Sequence, residues 1–238
     1  MRLRYPKIIL PRHSKNLFLR RWGSVLLNIC LAAIFLIASM GSVTAASPAI
    51  QKQTVPNKIY REGNVYTMRG GLLGIFSTGM ALLANTLEND YNVHAANTVY
   101  HDASGLSSFI IKHYNAHDLQ VPIILVGHSL GANEQIKVAD ELATAHIPVT
   151  LLITVDAGLP LKIPDNVQQV LNLYQPTIDP VFKGVPLQAT NSQLTYVENV
   201  NVSTIKNVHV NHFNISQNSK IQEIMLKKIL AVLDTKKS

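Results

Sequence analysis

Residues 121–145 read VPIILVGHSLGANEQIKVADELATA. The opening VPIILVG has no polar side chain, as expected of a strand buried on both faces of a parallel sheet. From Ala132 the period changes. Ile136, Ala139, Leu142 and Ala143 recur along one side of a helix predicted over 132–145. Between the two, GHSLG turns the chain from strand to helix in five residues. Ser129 therefore stands just beyond the carboxyl end of a buried strand, where open α/β sheets bind their ligands.

That turn has a chemical use. A serine held at a sharp strand-to-helix corner projects its hydroxyl. Gly127 and Gly131 lie two residues to either side, on the flank where a side chain would collide with the neighbouring strand or helix. The N–H of Leu130, at the start of the helix, would then point toward a developing oxyanion.

The rest of the body alternates in the same way. Strands are predicted at 64–70, 91–100, 148–155, 167–174 and 194–202. A helix over 74–90 places Ile75, Leu82, Leu83 and Leu87 on one side. A helix over 104–116 buries Leu106, Phe109, Ile110 and Tyr114. The clearest helix, 219–234, carries a stripe of Ile221, Ile224, Met225, Ile229, Val232 and Leu233. Alternating strands and helices predict an α/β layered domain over 64–238, with a polar lead-in at 47–63. No solenoid-like repeat interrupts it. The loop 157–166 leaves no room for a large lid, and 175–193 is the longest irregular stretch.

GHSLGA after VPIILV resembles the nucleophile elbow of α/β-hydrolases, in the form seen in lipases, esterases and thioesterases. The likeness extends through the element order over residues 60–235 and is specific at the elbow. It implies an α/β-hydrolase fold: a mostly parallel central sheet flanked by helices, compact and without a large lid domain. It also implies a Ser-His-Asp triad in the chain order nucleophile, acid, histidine. Ser129 is the nucleophile. For the base there are two candidates in NVHVNHFNIS (207–216): His212, followed by a His-x-x-Ile ending similar to that of many family members, and His209. For the acid, Asp156 ends the apolar strand in LLITVDAG, Asp179 lies one element later in QPTIDPV, and Asp165 is a third choice. The second oxyanion donor is sought in MRGGLLG (68–74). Gly70 and Gly71 there resemble the glycine pair of the family's HGG-type loops, with Arg69 where the histidine stands. Gly71 or Leu72 would offer the N–H. Arg69 reads either as a contact for an anionic part of a substrate or as a surface ion-pair partner.

His128 reads as part of the elbow rather than the base. His94, His101, His113, His117 and His146 read as surface or packing residues, and no metal-ligand spacing occurs among the histidines. No cofactor is expected.

Composition narrows the partners. The net charge of +7 is concentrated at one end. Residues 1–46 carry seven Lys/Arg and no acidic residue, which leaves 14 basic against all 14 acidic residues in 47–238. A neutral body argues against nucleic acid. The basic segment ends at Arg20-Arg21 and is followed by the apolar stretch 24–40 and the small residues of 41–49. That order is expected of an export signal, either cleaved near residue 46 or retained as a membrane anchor. The single cysteine, Cys30, lies in the apolar stretch, so the body has no disulfide or thiolate chemistry.

The sequence thus leads to an exported serine hydrolase acting on acyl esters or thioesters, touching membrane only through its N-terminal apolar segment if that segment is not cleaved. The alternative is a binding protein that kept the fold without the chemistry.

Overall fold

The computed structural model describes residues 59–71, 77–178 and 182–235. The expected signal or anchor (1–46), nearly all of the lead-in, Leu72, Ile75 and Asp179 lie outside the described residues. Among the described residues six strands form one sheet: β1 (Arg61–Arg69), β2 (Val93–Val99), β3 (Ile123–His128), β4 (Val149–Val155), β6 (Val167–Tyr174) and β8 (Tyr196–Asn201). Their order is β2-β1-β3-β4-β6-β8, and every pairing is parallel. Two short strands, β5 (Lys162–Ile163) and β7 (Gln188–Ala189), pair apart from it.

The central strands are buried on both faces, as their composition requires. In β3, Ile124 and Val126 join one apolar cluster while Ile123 and Leu125 join the other. All four are fully buried. Helix α1 (Thr78–Asp90) and helix α4 (Ser219–Asp234) cover the first face, with Met80, Leu83, Leu87, Ile221, Met225 and Ile229 in its cluster. Helix α2 (Ala103–Asn115) and helix α3 (Leu130–Thr144) cover the second, with Ile110, Ile136, Ala139 and Leu142. No large lid interrupts the connection from β4 to β6, which spans residues 156–166.

Two helix faces differ from those the periodicity predicts. Leu82 is 50% exposed, not inward. The inward face of α1 is instead Gly79, Met80, Leu83, Ala84 and Leu87. Gly79 sets this rotation: a Cβ there would lie 1.9 Å from the carbonyl oxygen of Ser216, so the helix backbone presses on that turn. In α2, Phe109 is 46% exposed and lies edge-on to Tyr66.

Parallel pairing brings the carboxyl ends of β1, β3, β4, β6 and β8 to one rim. The chain leaves that rim at Gly70, Ser129, Asp156, Gln175 and Val202.

Candidate active site

Ser129 is forced into its conformation by its two neighbours in the fold. A Cβ on Gly127 would lie 2.4 Å from the Gly131 carbonyl oxygen, and one on Gly131 would lie 2.5 Å from that of Met68. Only glycines let β3, the turn and β1 approach this closely. The Ser129 N–H is held by the Val155 carbonyl at 2.9 Å. The chain takes the corner with Ser129 at φ 58° and ψ −125°. A non-glycine residue is held there only when its surroundings over-determine it, at a cost of about 1–3 kcal/mol. The outcome is a hydroxyl aimed away from its own helix.

That hydroxyl meets His212. Ser129 Oγ lies 2.8 Å from His212 Nε2. His212 Nδ1 donates to Asp156 Oδ2 at 2.7 Å. Asp156 is fully buried, and its other oxygen, Oδ1, accepts the N–H of Gln175 at 2.8 Å. The carboxylate therefore has a donor on each oxygen, which is how a buried anion is made tolerable. Asp156 itself adopts a positive φ of 53° where β4 ends. His212 is carried by the loop after β8, and its side chain is only 10% exposed.

A serine, a neutral imidazole and a buried carboxylate connected in series can move a proton. The imidazole can take it from the hydroxyl while the carboxylate holds the tautomer and faces the resulting positive charge.

The loop after β1 and the start of α3 meet on the other side of Ser129. A Cβ on Gly70 would lie 2.5 Å from the His128 carbonyl and 3.1 Å from the Leu130 nitrogen, so the loop after β1 lies against the elbow. Leu130 opens α3, and the first-turn N–H groups of a helix have no acceptor of their own. The Gly70 N–H is taken by Ser77 Oγ at 3.0 Å. Gly71, whose Cβ would touch the Leu130 side chain at 3.3 Å, is the neighbour left beside Leu130.

The other candidates fall elsewhere. His209 is exposed, in a surface hollow with Gln175, Asn211 and Asn214. Asp165 is exposed at the opposite rim, ahead of β6. Arg69 makes no ion pair among the described residues, and its Nε is buried without a partner there. The described residues contain no group of three or more His, Cys, Asp or Glu that could hold a metal. None of their helices is long and apolar enough to cross a membrane.

No protein-family model matches the sequence, and no curated protein matches it. Solved structures do resemble it. An arylesterase superposes with a TM-score of 0.51 at 13% identity, covering 74% of this chain and 77% of its own. An esterase from Pyrobaculum calidifontis gives 0.47 at 12% identity, over 74% and 77%. A thioesterase domain from the nocardicin cluster gives 0.44 at 14%, over 73% and 95%.

The chain has the α/β-hydrolase fold. In this instance of the fold, Gly184 and Ser77 carry no signal in the sequence, and His128, read there as part of the elbow, makes a further contact. Gly184 backs onto the acid: a Cβ there would lie 2.1 Å from Asp156 Oδ1. Its segment is fixed by the buried Asn172, which donates to the Val185 carbonyl at 2.8 Å, and by Asn199, which accepts from Leu187 N–H. Ser77 and His128 join the loop after β1 to the loop that carries His212. Ser77 sits where a helix cap is expected, and that ordinary role masks the other.

Proposed function

We propose that this chain is an exported serine hydrolase that cleaves carboxylic ester or thioester bonds. The observation that carries the reading is the unbroken chain Ser129 Oγ, His212, Asp156, with Ser129 in its positive-φ corner. In this reading Ser129 Oγ attacks the acyl carbonyl as His212 Nε2 takes its proton. The tetrahedral oxyanion lies against the N–H groups of Leu130 and Gly71. Collapse expels the alcohol or thiol, which takes the proton back from His212. Water, deprotonated by the same histidine, then attacks the acyl-enzyme, and Ser129 is restored as the acid leaves. No step requires a cofactor.

The surroundings support an apolar group next to the ester. Leu130, Phe182 and Phe213 are each more than a third exposed. The Phe182 ring lies 5.3 Å from that of His212 and 4.9 Å from that of Phe213. An apolar acyl or aryl portion would be sheltered there. An arylesterase with this fold is in keeping with that substrate class. Export rests on the basic and apolar N-terminal segment alone.

The test is covalent labelling of the full chain with a fluorophosphonate probe, beside Ser129→Ala and His212→Ala. Labelling by wild type and by neither variant is expected, followed by turnover of ester and thioester substrates. Labelling retained in Ser129→Ala would overturn the assignment of the nucleophile. A folded wild type that takes no label would instead favour a binding protein on this fold.

A further inference from the structure

Ser77 stands at the N-cap of α1 but makes no cap hydrogen bond. Its Oγ instead accepts the Gly70 N–H at 3.0 Å and contacts His128 Nδ1 at 2.7 Å. On the far side, His128 Nε2 lies 2.9 Å from the backbone carbonyl of His212. His128 and Ser77 are 1% and 2% exposed.

The partners fix the direction of every bond. A carbonyl can only accept, so His128 Nε2 carries its hydrogen and donates to His212. The Nδ1 of a neutral imidazole is then an acceptor, so the Ser77 O–H donates to it. The Ser77 oxygen is left with lone pairs, which the Gly70 N–H meets. A buried network in which every member is satisfied in one sense is rigid.

This relay links the two halves of the site that the chain itself does not connect. One end is the loop after β1, which carries the oxyanion glycines. The other is the backbone of the base. It passes through the residue immediately before the nucleophile. Helix α1 goes without a side-chain N-cap, and Ser77 takes part in this network instead. Local rules broken in this way mark functional positions.

We infer that His128 and Ser77 are positioning residues, which together set the oxyanion loop and the base at fixed distances from Ser129. The inference rests on the hydrolase reading above. It also explains why a second imidazole is tolerated with ring centroids 5.3 Å from His212. A neutral His128 adds no charge against the imidazolium that forms on His212 in the reaction. Burial, first, and the facing His212 push its pKa down to about 3.

The experiment compares wild type, Ser77→Ala, His128→Leu and His128→Gln for fluorophosphonate inactivation rate and for kcat and KM on an aryl ester. Misplacing catalytic groups by about 1 Å costs on the order of 10²-fold, so Ser77→Ala and His128→Leu should lose about that much kcat with KM nearly unchanged. His128→Gln, whose amide can still donate to the His212 carbonyl, should recover most of it. A merely structural role would lower thermal stability equally in His128→Leu and His128→Gln and leave the kcat of folded protein within about twofold of wild type, and that result would overturn the inference. If His128→Leu does not fold, the smaller Ser77→Ala change decides by the same criterion. The side-chain 15N shifts of His128 provide a readout independent of turnover. The Nε2–H tautomer is expected at neutral pH, and the Nδ1–H tautomer or an imidazolium would refute the relay even if the protein hydrolyses nothing. A wild type without Ser129-dependent labelling but with the Nε2–H tautomer would leave the relay intact and remove the hydrolase reading.

Discussion

Helices α3 and α4 begin in opposite ways. At the start of α4, the Asn218 side chain accepts the N–H groups of Lys220 and Ile221, satisfying first-turn donors. At the start of α3, Ser129 occupies the same position and caps nothing, because its hydroxyl is bonded to His212. Helix α1 repeats the second pattern with Ser77. Helix α4 begins after the turn that follows the histidine loop and is built for stability. Helices α1 and α3 begin at the rim that holds the candidate site, where the cap-position serines bond to other segments of the chain instead. The side chains there stabilise the site rather than their helix.

The largest effect separates these two uses most sharply. Ser129→Ala should lower turnover on the order of 10⁴-fold or more, with no loss of thermal stability, because no cap hydrogen bond is removed. Calorimetry beside kinetics checks this, and a destabilised Ser129→Ala protein would break the comparison. Gly184→Ala comes next. Its new methyl would displace the Asp156 carboxylate from His212, and a fall in kcat of about 10²-fold is expected. Turnover equal to wild type would show that the segment yields without moving the acid.

Acid stability is the third. His128 is neutral and buried, faced by His212 and the Ser77 hydroxyl, with its pKa pushed down to about 3 from 6.5. The unfolded chain takes up a proton below about pH 6.5 while the folded chain does not, so this stability is present above that pH and is lost as pH falls toward 3. The slope approaches about 1.4 kcal/mol per pH unit. Urea unfolding at two pH values should show it in wild type, and the share should disappear in His128→Gln. The smallest effect is at α4. Asn218→Ala should cost about 1 kcal/mol of stability and leave kcat alone, the reverse of Ser129→Ala. Loss of activity there would mean the cap also holds His212, through the Ile215–Gln217 turn.

Much of this arrangement is visible in the residues. VPIILV and PVTLLITV carry no polar side chain beyond threonine, and strands of that composition are stable only when covered on both faces. The change of period at Ala132 places Ser129 at a carboxyl end. The stripe of α4 is buried except for Ile224, which is half-buried. Helix faces were less legible where a glycine, not a large apolar residue, makes the closest approach, as Gly79 does in α1.

What the sequence by itself determined is whatever follows from local periodicity and from backbone geometry within a few residues: the alternation of elements, the doubly buried strands, the elbow and the side of the sheet on which its serine emerges. What only the tertiary structure decided is which distant groups meet there. His212 reaches Ser129 across 83 positions and Asp156 across 56, while His209, three residues away, faces solvent. Ser77 joins His128 across 51. Such meetings depend on strand order and register, which bring separate chain segments to one rim, and no local pattern encodes the path between them.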